Sequence, residues 1–315
     1  MLETIIGALL PTAFTILLGY LAARHHLFGP ADSSSFNRLV MTYALPMSIF
    51  VGMVGTTREA LSQDLVLSIT LIAAIVGTYG IVYLLCRRVF RLSVGASALG
   101  ALGASFPNTL FMGLPVLTYL YREAGVVPAT LGSIIPQTTI VPLTVFLLAL
   151  EKGSKTAGAA PAGSGQILRN LLHTLSQPLV WGALLGVILV LVGVRVPPVI
   201  ADSLAVLGRA TSGVALFSSG LILAGYAVSL SGPVTLTVLI KNVAQPALVL
   251  GCLSLLGYSR PLLGEAVVTT AMPTVAILPM LAAQYQVAVK ESASVLLLST
   301  IGSLVTLAAF IALTN

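Results

Sequence analysis

Ala104-Ser105-Phe106-Pro107-Asn108-Thr109-Leu110-Phe111-Met112-Gly113-Leu114-Pro115 is the stretch that decides how this chain folds. Two prolines eight residues apart fall inside a segment long enough to cross a bilayer. A proline in a helix interior removes a backbone donor and clashes with the preceding turn, so an uninterrupted helix is not expected here. A second stretch has the same feature: Thr269-Thr270-Ala271-Met272-Pro273-Thr274-Val275-Ala276-Ile277-Leu278-Pro279, with prolines six residues apart. In lipid, unwound backbone persists only where it is buried in protein or lines a cavity. Broken segments in corresponding positions of two halves point to the binding region of a secondary transporter.

Composition agrees with a membrane protein. Only 8% of the 315 residues are charged, against about 25% in soluble domains, and the mean hydropathy is +1.05. The net charge of +6 does not imply nucleic acid as a partner, because no basic cluster has interleaved aromatics or a recognisable binding motif. Cys86 and Cys252 lie in apolar segments, so they are read as packing residues and neither a disulfide framework nor a zinc site is expected. Met1-Leu2-Glu3-Thr4-Ile5 lacks the positive start of a signal peptide and is read as the beginning of a first membrane helix. Trp181 is the single tryptophan, so an aromatic belt cannot place the interfaces.

Apolar runs separated by polar punctuation predict about ten spans in an all-α integral membrane protein. In the first half these run from about Thr4 to Ala23, Phe36 to Val54, Leu65 to Cys86, Ala96 to Tyr121 and Val126 to Leu150. Glu151 to Gln166 is a polar linker rich in Gly, Ala and Ser. Ile167 to Ser176 has the apolar spacing of a short amphipathic helix on a membrane surface. The second half has spans at Pro178 to Val194, Pro197 to Tyr226, Val234 to Leu256, Leu262 to Gln284 and Ser294 to Leu313. The chain thus divides into a first repeat (1–150), a cytoplasmic linker with its amphipathic helix (151–177) and a second repeat (178–315). The broken span is fourth in each half, so spans four and nine correspond. Five spans per half make the second half enter the membrane the opposite way round, a 5+5 inverted repeat.

Orientation follows from the basic residues. One set of loops carries Arg24, Arg87, Arg88, Arg91, Lys152, Lys155, Arg169 and Lys290, while the alternate set carries Arg58, Arg122, Arg195 and Arg260. The richer set is placed in the cytoplasm, which puts both termini outside the plasma (inner) membrane.

Asn108-Thr109-Leu110-Phe111-Met112-Gly113-Leu114-Pro115 resembles the broken fourth helix of the auxin efflux carrier family. Ala271-Met272-Pro273-Thr274, followed by Leu281-Ala282-Ala283-Gln284-Tyr285, is similar to its second broken helix, and Ala293 to Thr300 resembles its last span. Ser176-Gln177-Pro178-Leu179-Val180 and Leu216-Phe217-Ser218-Ser219-Gly220 are weaker matches. The chain lacks the long cytoplasmic loop of plant carriers, as small bacterial members do, and Pro107 departs from the pattern as an extra proline. The resemblance implies a carrier of malonate or a similar small carboxylate, with substrate bound where the two broken helices cross. A homodimer formed through spans such as two and seven also suits the family.

The residues themselves offer a basis for anion binding. The second half-helix after each break begins with unpaired N–H groups at the positive end of a helix dipole. Pro107, Asn108, Thr109 and Pro115 belong to the first break, and Pro273 and Thr274 to the second. The alternative is that the prolines only kink helices and the polar side chains satisfy freed carbonyls. Arg209 in span seven fits two roles equally, a bidentate partner of a substrate carboxylate or an interfacial residue that snorkels or pairs with Asp202. Lys241 and Asn242 in span eight are read first as structural or snorkelling, then as substrate contacts. Gln137, with Thr138 and Thr139, either lines the cavity or bonds to backbone released by Pro136 and Pro142.

No midspan carboxylate suggests a dedicated ion site, although Na⁺ held by carbonyl and hydroxyl oxygens, or H⁺, remains open as the coupling ion. No metal site or other cofactor is expected. His25, His26 and His173 are placed in loops or the surface helix. No nucleophile–base, His or carboxylate pair lies within spans, so an intramembrane enzyme is not expected. The competing readings are a sodium-coupled carrier of the bile-acid type, which shares crossed broken helices, and an anion channel.

Overall fold

The computed structural model describes residues 2–55, 65–156, 182, 185–186, 188–190, 192–194, 196–258 and 260–314. The amphipathic stretch Ile167–Ser176, most of the linker, and all but scattered positions of the sixth span lie outside the described residues.

Helices form the described residues, with no strand among them. In chain order they are α1 (Leu2–Arg24), α2 (Pro30–Leu39), α3 (Leu45–Val54), α4 (Leu65–Arg88), α5 (Val94–Ser105), α6 (Leu114–Tyr121), α7 (Val126–Thr138) and α8 (Ile140–Thr156). They continue with α9 (Pro198–Ala224), α10 (Gly232–Leu239), α11 (Gln245–Leu255), α12 (Leu262–Ala271), α13 (Leu278–Tyr285) and α14 (Val289–Thr314). Five helical stretches are long and apolar enough to cross a membrane: Leu65–Arg88, Leu114–Lys152, Pro198–Ala224, Gly232–Leu255 and Val289–Thr314. The second of these turns at the 3-10 segment Arg122–Gly125, where Arg122 has a φ of 56°.

Proline sets the local geometry. Three π-helical turns, Val40–Ala44, Thr109–Gly113 and Ile240–Ala244, each end two residues before a proline: Pro46, Pro115 and Pro246 follow Leu45, Leu114 and Gln245. A proline cannot donate to the carbonyl four residues back and crowds it. The chain responds by widening the preceding turn, so that Leu45, Leu114 and Gln245 donate five residues back, to Val40, Thr109 and Ile240. Pro198 and Pro279 sit in the first turns of α9 and α13, where a missing donor costs nothing. The N-terminus of α5 is held by Ser93, whose side chain accepts from the Ala96 N–H, and by the Glu151 carboxylate, which accepts from the Gly95 N–H at 2.5 Å. Glu151 reaches it because α8 continues helically to Thr156, past the Leu150 limit read from the sequence.

Small residues bring the helices together, as expected where lipid offers little drive for helix association. A Cβ on Gly19 of α1 would sit 2.0 Å from the Phe217 carbonyl oxygen, and one on Gly220 of α9 would sit 2.1 Å from that of Ile16. Backbone therefore meets backbone where α1 crosses α9. α9 also packs on α3, α4 on α5, α5 on α8, and α12 on α11 and α14. α5, α12 and α14 carry many of the fully buried positions, among them Ala98, Leu102, Val267, Ala271 and Leu307. Cys86 is buried on α4, and Cys252 is exposed, so only the former packs in the interior as the sequence reading expected of both.

Candidate functional site

α5 stops at Ser105 and α12 at Ala271, and extended backbone follows each: Phe106 has ψ 104° and Met272 has ψ 146°. At ~1.5 Å per residue the 12-residue α5 and 10-residue α12 span about half of a ~30 Å hydrocarbon core. The two extended segments then meet. Pro107 and Thr274 form an isolated antiparallel bridge, and the Asn108 N–H donates to the Pro273 carbonyl at 2.8 Å. Helical structure resumes at Thr109 on one segment and Leu278 on the other.

Two sets of side chains fix this crossing. Ser299 of α14 accepts from the Thr274 N–H at 3.0 Å and donates its hydroxyl to Asn242 Oδ1 at 2.7 Å. Asn242 Nδ2 returns a bond to the Ser299 carbonyl at 2.8 Å. Beside it, Lys241 is fully buried and donates to the Thr270 carbonyl at 2.7 Å and to Gln245 Oε1 at 2.6 Å. Gln245 in turn donates to the carbonyls of Ala74 at 3.2 Å and Ser105 at 3.4 Å. One Lys–Gln pair thus supplies donors at the C-terminal ends of both α12 and α5, where carbonyls lack intrahelical partners. Lys241, Asn242 and Gln245 are presented by the π turn Ile240–Ala244 and the residue after it, a feature common at functional positions.

Several polar atoms at the crossing are buried without partners: Asn108 Nδ2, Thr109 Oγ1 and Thr274 Oγ1. Their residues are at most 2% exposed. A buried unpaired polar group costs about 1–3 kcal/mol, so three on two crossing segments call for a ligand or water that completes them. Gly132 of α7 closes in on the same place: a Cβ there would lie 2.8 Å from Thr109 Cγ2 and 2.6 Å from Thr269 Cγ2.

Pro107, Asn108, Thr109, Pro273, Thr274 and Asn242, all singled out from the sequence, are therefore brought together. Three others are not part of this hydrogen-bonded set. Pro115 is exposed in the first turn of α6. Gln137 donates to the Ser133 carbonyl at 2.9 Å and to the Ser133 hydroxyl, within its own helix, and Thr138 and Thr139 likewise bond to the carbonyls of Ile134 and Ile135. Those carbonyls are not the ones that Pro136 and Pro142 leave without a donor, which are four residues before each proline. Arg209 is exposed on α9, with Nε turned to the Ala205 carbonyl at 3.3 Å and not to Asp202. The residues missed in the sequence are Gln245 and Ser299. The signal for the first was its place four residues after Lys241, directly before Pro246; Ser299 lay inside a stretch quoted for its resemblance.

A cavity of about 940 Å³ opens between α1, α2, α9 and α13. Arg24, His26 and Arg38 line it, with no acidic residue in the lining among the described residues. Arg24 is steadied by Tyr20, whose hydroxyl accepts from Nε at 3.1 Å. None of the crossing residues lines this cavity, but its walls are tied to the second broken segment: Asn37 Nδ2 donates to the Met280 carbonyl at 3.0 Å, and Ser219 contacts the Ala276 carbonyl at 3.4 Å.

The sequence pattern of the family described as membrane transport protein matches residues 4–311. The chain belongs to this family. The auxin efflux carrier resemblance is upheld: the chain is similar to the uncharacterized transporter YfdV of Escherichia coli, 30% identical over 97% of this chain and 96% of its own. An uncharacterized transporter of Methanothermobacter thermautotrophicus is 29% identical over 97% and 95% of the two chains. Auxin efflux carrier component 8 of Arabidopsis thaliana is 22% identical over 85% and 86%. The protein is a multi-pass membrane protein of a transporter family, and not of an enzyme family.

Proposed function

We propose that this protein is a secondary active carrier of a small organic anion, malonate or a related carboxylate, bound where the two broken helices cross. The observation that carries this reading is the antiparallel Pro107–Thr274 bridge with unpartnered Asn108 Nδ2, Thr109 Oγ1 and Thr274 Oγ1 beside it. Those groups can donate to carboxylate oxygens. The positive ends of the helices that resume after the breaks add to the attraction. The name of the Arabidopsis relative points the same way, since auxin is a carboxylic acid ionised at neutral pH.

Ten spans in two oppositely oriented five-helix halves, with spans four and nine broken, are the architecture we infer around this site. On the orientation drawn from the basic loops, the cavity near Arg24 and Arg38 opens to the cytoplasm of an inner-membrane carrier. Its basic lining concentrates anions at the mouth. Alternating access then consists of the crossed segments moving against α1, α2 and α9, the helices that wall the cavity.

Uptake of labelled malonate into proteoliposomes, with imposed Na⁺, pH and voltage gradients, tests the proposal. Saturable uptake that one gradient drives above equilibrium supports a carrier. Flux that does not saturate and never exceeds equilibrium means a channel. No uptake under any gradient removes malonate.

A further inference from the structure

We propose that Lys241 is the resident cation of the crossing, its ammonium occupying the place that a coupling sodium ion would take, so that the carrier works without Na⁺. The partners of Nζ are a main-chain carbonyl, that of Thr270, and the amide oxygen of Gln245. Neutral carbonyl and amide oxygens of this kind, at unwound backbone within a span, are what binds alkali cations in transporters. Among the described residues no carboxylate is a partner of Lys241, and both of its hydrogen bonds go to neutral oxygens.

The charge is instead balanced by the fold. Each helix C-terminus carries roughly −0.5 of an elementary charge. Lys241 touches the end of α12 directly through Thr270, and reaches the end of α5 through Gln245 and the Ser105 carbonyl. Two such ends together match one ammonium. This accounts for a lysine with no exposed surface inside a span, where an uncompensated charge is strongly unfavourable. No co-bound cation is then needed to neutralise the ends of the two half-helices at the crossing. That the carrier needs no Na⁺ rests on the proposed function; the placement of the cation does not.

The test is therefore a substrate-free one. Purified wild type, Lys241→Ala and Lys241→Met are melted in choline, sodium and methylammonium chloride at one ionic strength. Wild type is expected to melt within about 1 °C in all three. Lys241→Ala, which empties the space, is expected to melt lower in choline and to regain at least a third of the loss in sodium or methylammonium. Lys241→Met, which fills the space, is expected to melt lower and to gain nothing. A wild type stabilised by Na⁺ over choline overturns the proposal, as does a Lys241→Ala protein that no cation restores or that melts like wild type in choline. If Lys241→Ala cannot be recovered folded, the wild-type comparison still decides. A protein that shows the expected pattern but transports no carboxylate would sink the substrate reading alone.

Discussion

Ser299→Ala removes one oxygen from the crossing and should lower the melting temperature by about 2–5 °C. Ser299 Oγ both accepts from the Thr274 N–H and donates to Asn242 Oδ1. Interhelical hydrogen bonds in membrane proteins average only ~0.6 kcal/mol by double-mutant cycles, because a polar group usually finds another partner. Thr274 lies in non-helical backbone between α12 and α13, with its N–H bonded to Ser299. The larger penalty of about 1–3 kcal/mol for a buried unsatisfied group therefore applies to it. Asn242 stays anchored through Nδ2 to the Ser299 carbonyl, so loss of its second bond adds only the smaller amount. The sum is about 1.6–3.6 kcal/mol, and at about 2.1 cal/mol/K of unfolding entropy per residue each kcal/mol shifts the melting of a chain this long by about 1.5 °C. Ser303→Ala is the control. That serine is equally buried on α14 but bonds only to the Thr300 carbonyl of its own helix, and its loss should cost less than about 2 °C. Differential scanning fluorimetry in one detergent compares the two. Equal melting temperatures for both variants would refute the role given to Ser299, and so would full additivity of Ser299→Ala with Asn242→Ala.

Other substitutions probe the packing and the boundaries of the site. Gly220→Leu should abolish a monodisperse protein on size exclusion, because its Cβ falls on the Ile16 carbonyl; Gly213→Leu on the same helix, where nothing lies within 4 Å, should leave the elution unchanged. Gly132→Ala forces Thr109 and Thr269 aside, an overpacking of about 1–3 kcal/mol; malonate uptake should fall at least tenfold while the protein stays folded. Arg209→Gln should keep the KM for malonate within twofold, since the guanidinium turns to Ala205. A tenfold rise would put Arg209 on the substrate after all.

The prolines were informative in unequal ways. Pro107 and Pro273 mark the crossing, and the sequence spacing located both. Pro115 and Pro279 were read with them, yet Pro279 sits in the first turn of α13, where proline is simply favoured, and Pro115 follows the π turn Thr109–Gly113 that its missing donor widens. Spacing alone cannot distinguish a proline that ends a helix from one that begins the next. The facing of Lys241 was beyond a sequence reading for a related reason. Counting residues gives depth along α10, but the π turn before Pro246 adds a residue to the turn and rotates Lys241 and Asn242 inward. Arg209 posed another problem: its position along α9 left a substrate contact and a snorkelling role equally open, and its side chain is exposed. α9 is apolar over most of its surface, so no polar stripe announced which way Arg209 faces. The roles of Gln245 and Ser299 depend on contacts 25 to 171 residues apart along the chain, which no local pattern encodes.

Uptake of labelled malonate by wild type, Asn108→Ala and Thr274→Val, reconstituted at equal density with an imposed driving gradient, addresses the substrate site itself. Asn108 Nδ2 and Thr274 Oγ1 come from opposite crossing segments, and both are buried without a protein partner. Both variants should fold and melt close to wild type, since no protein hydrogen bond is lost, yet each should raise the KM at least tenfold, about 1.4 kcal/mol of lost binding. Saturable wild-type uptake with an unchanged KM in both variants would contradict the placement of the substrate at the crossing.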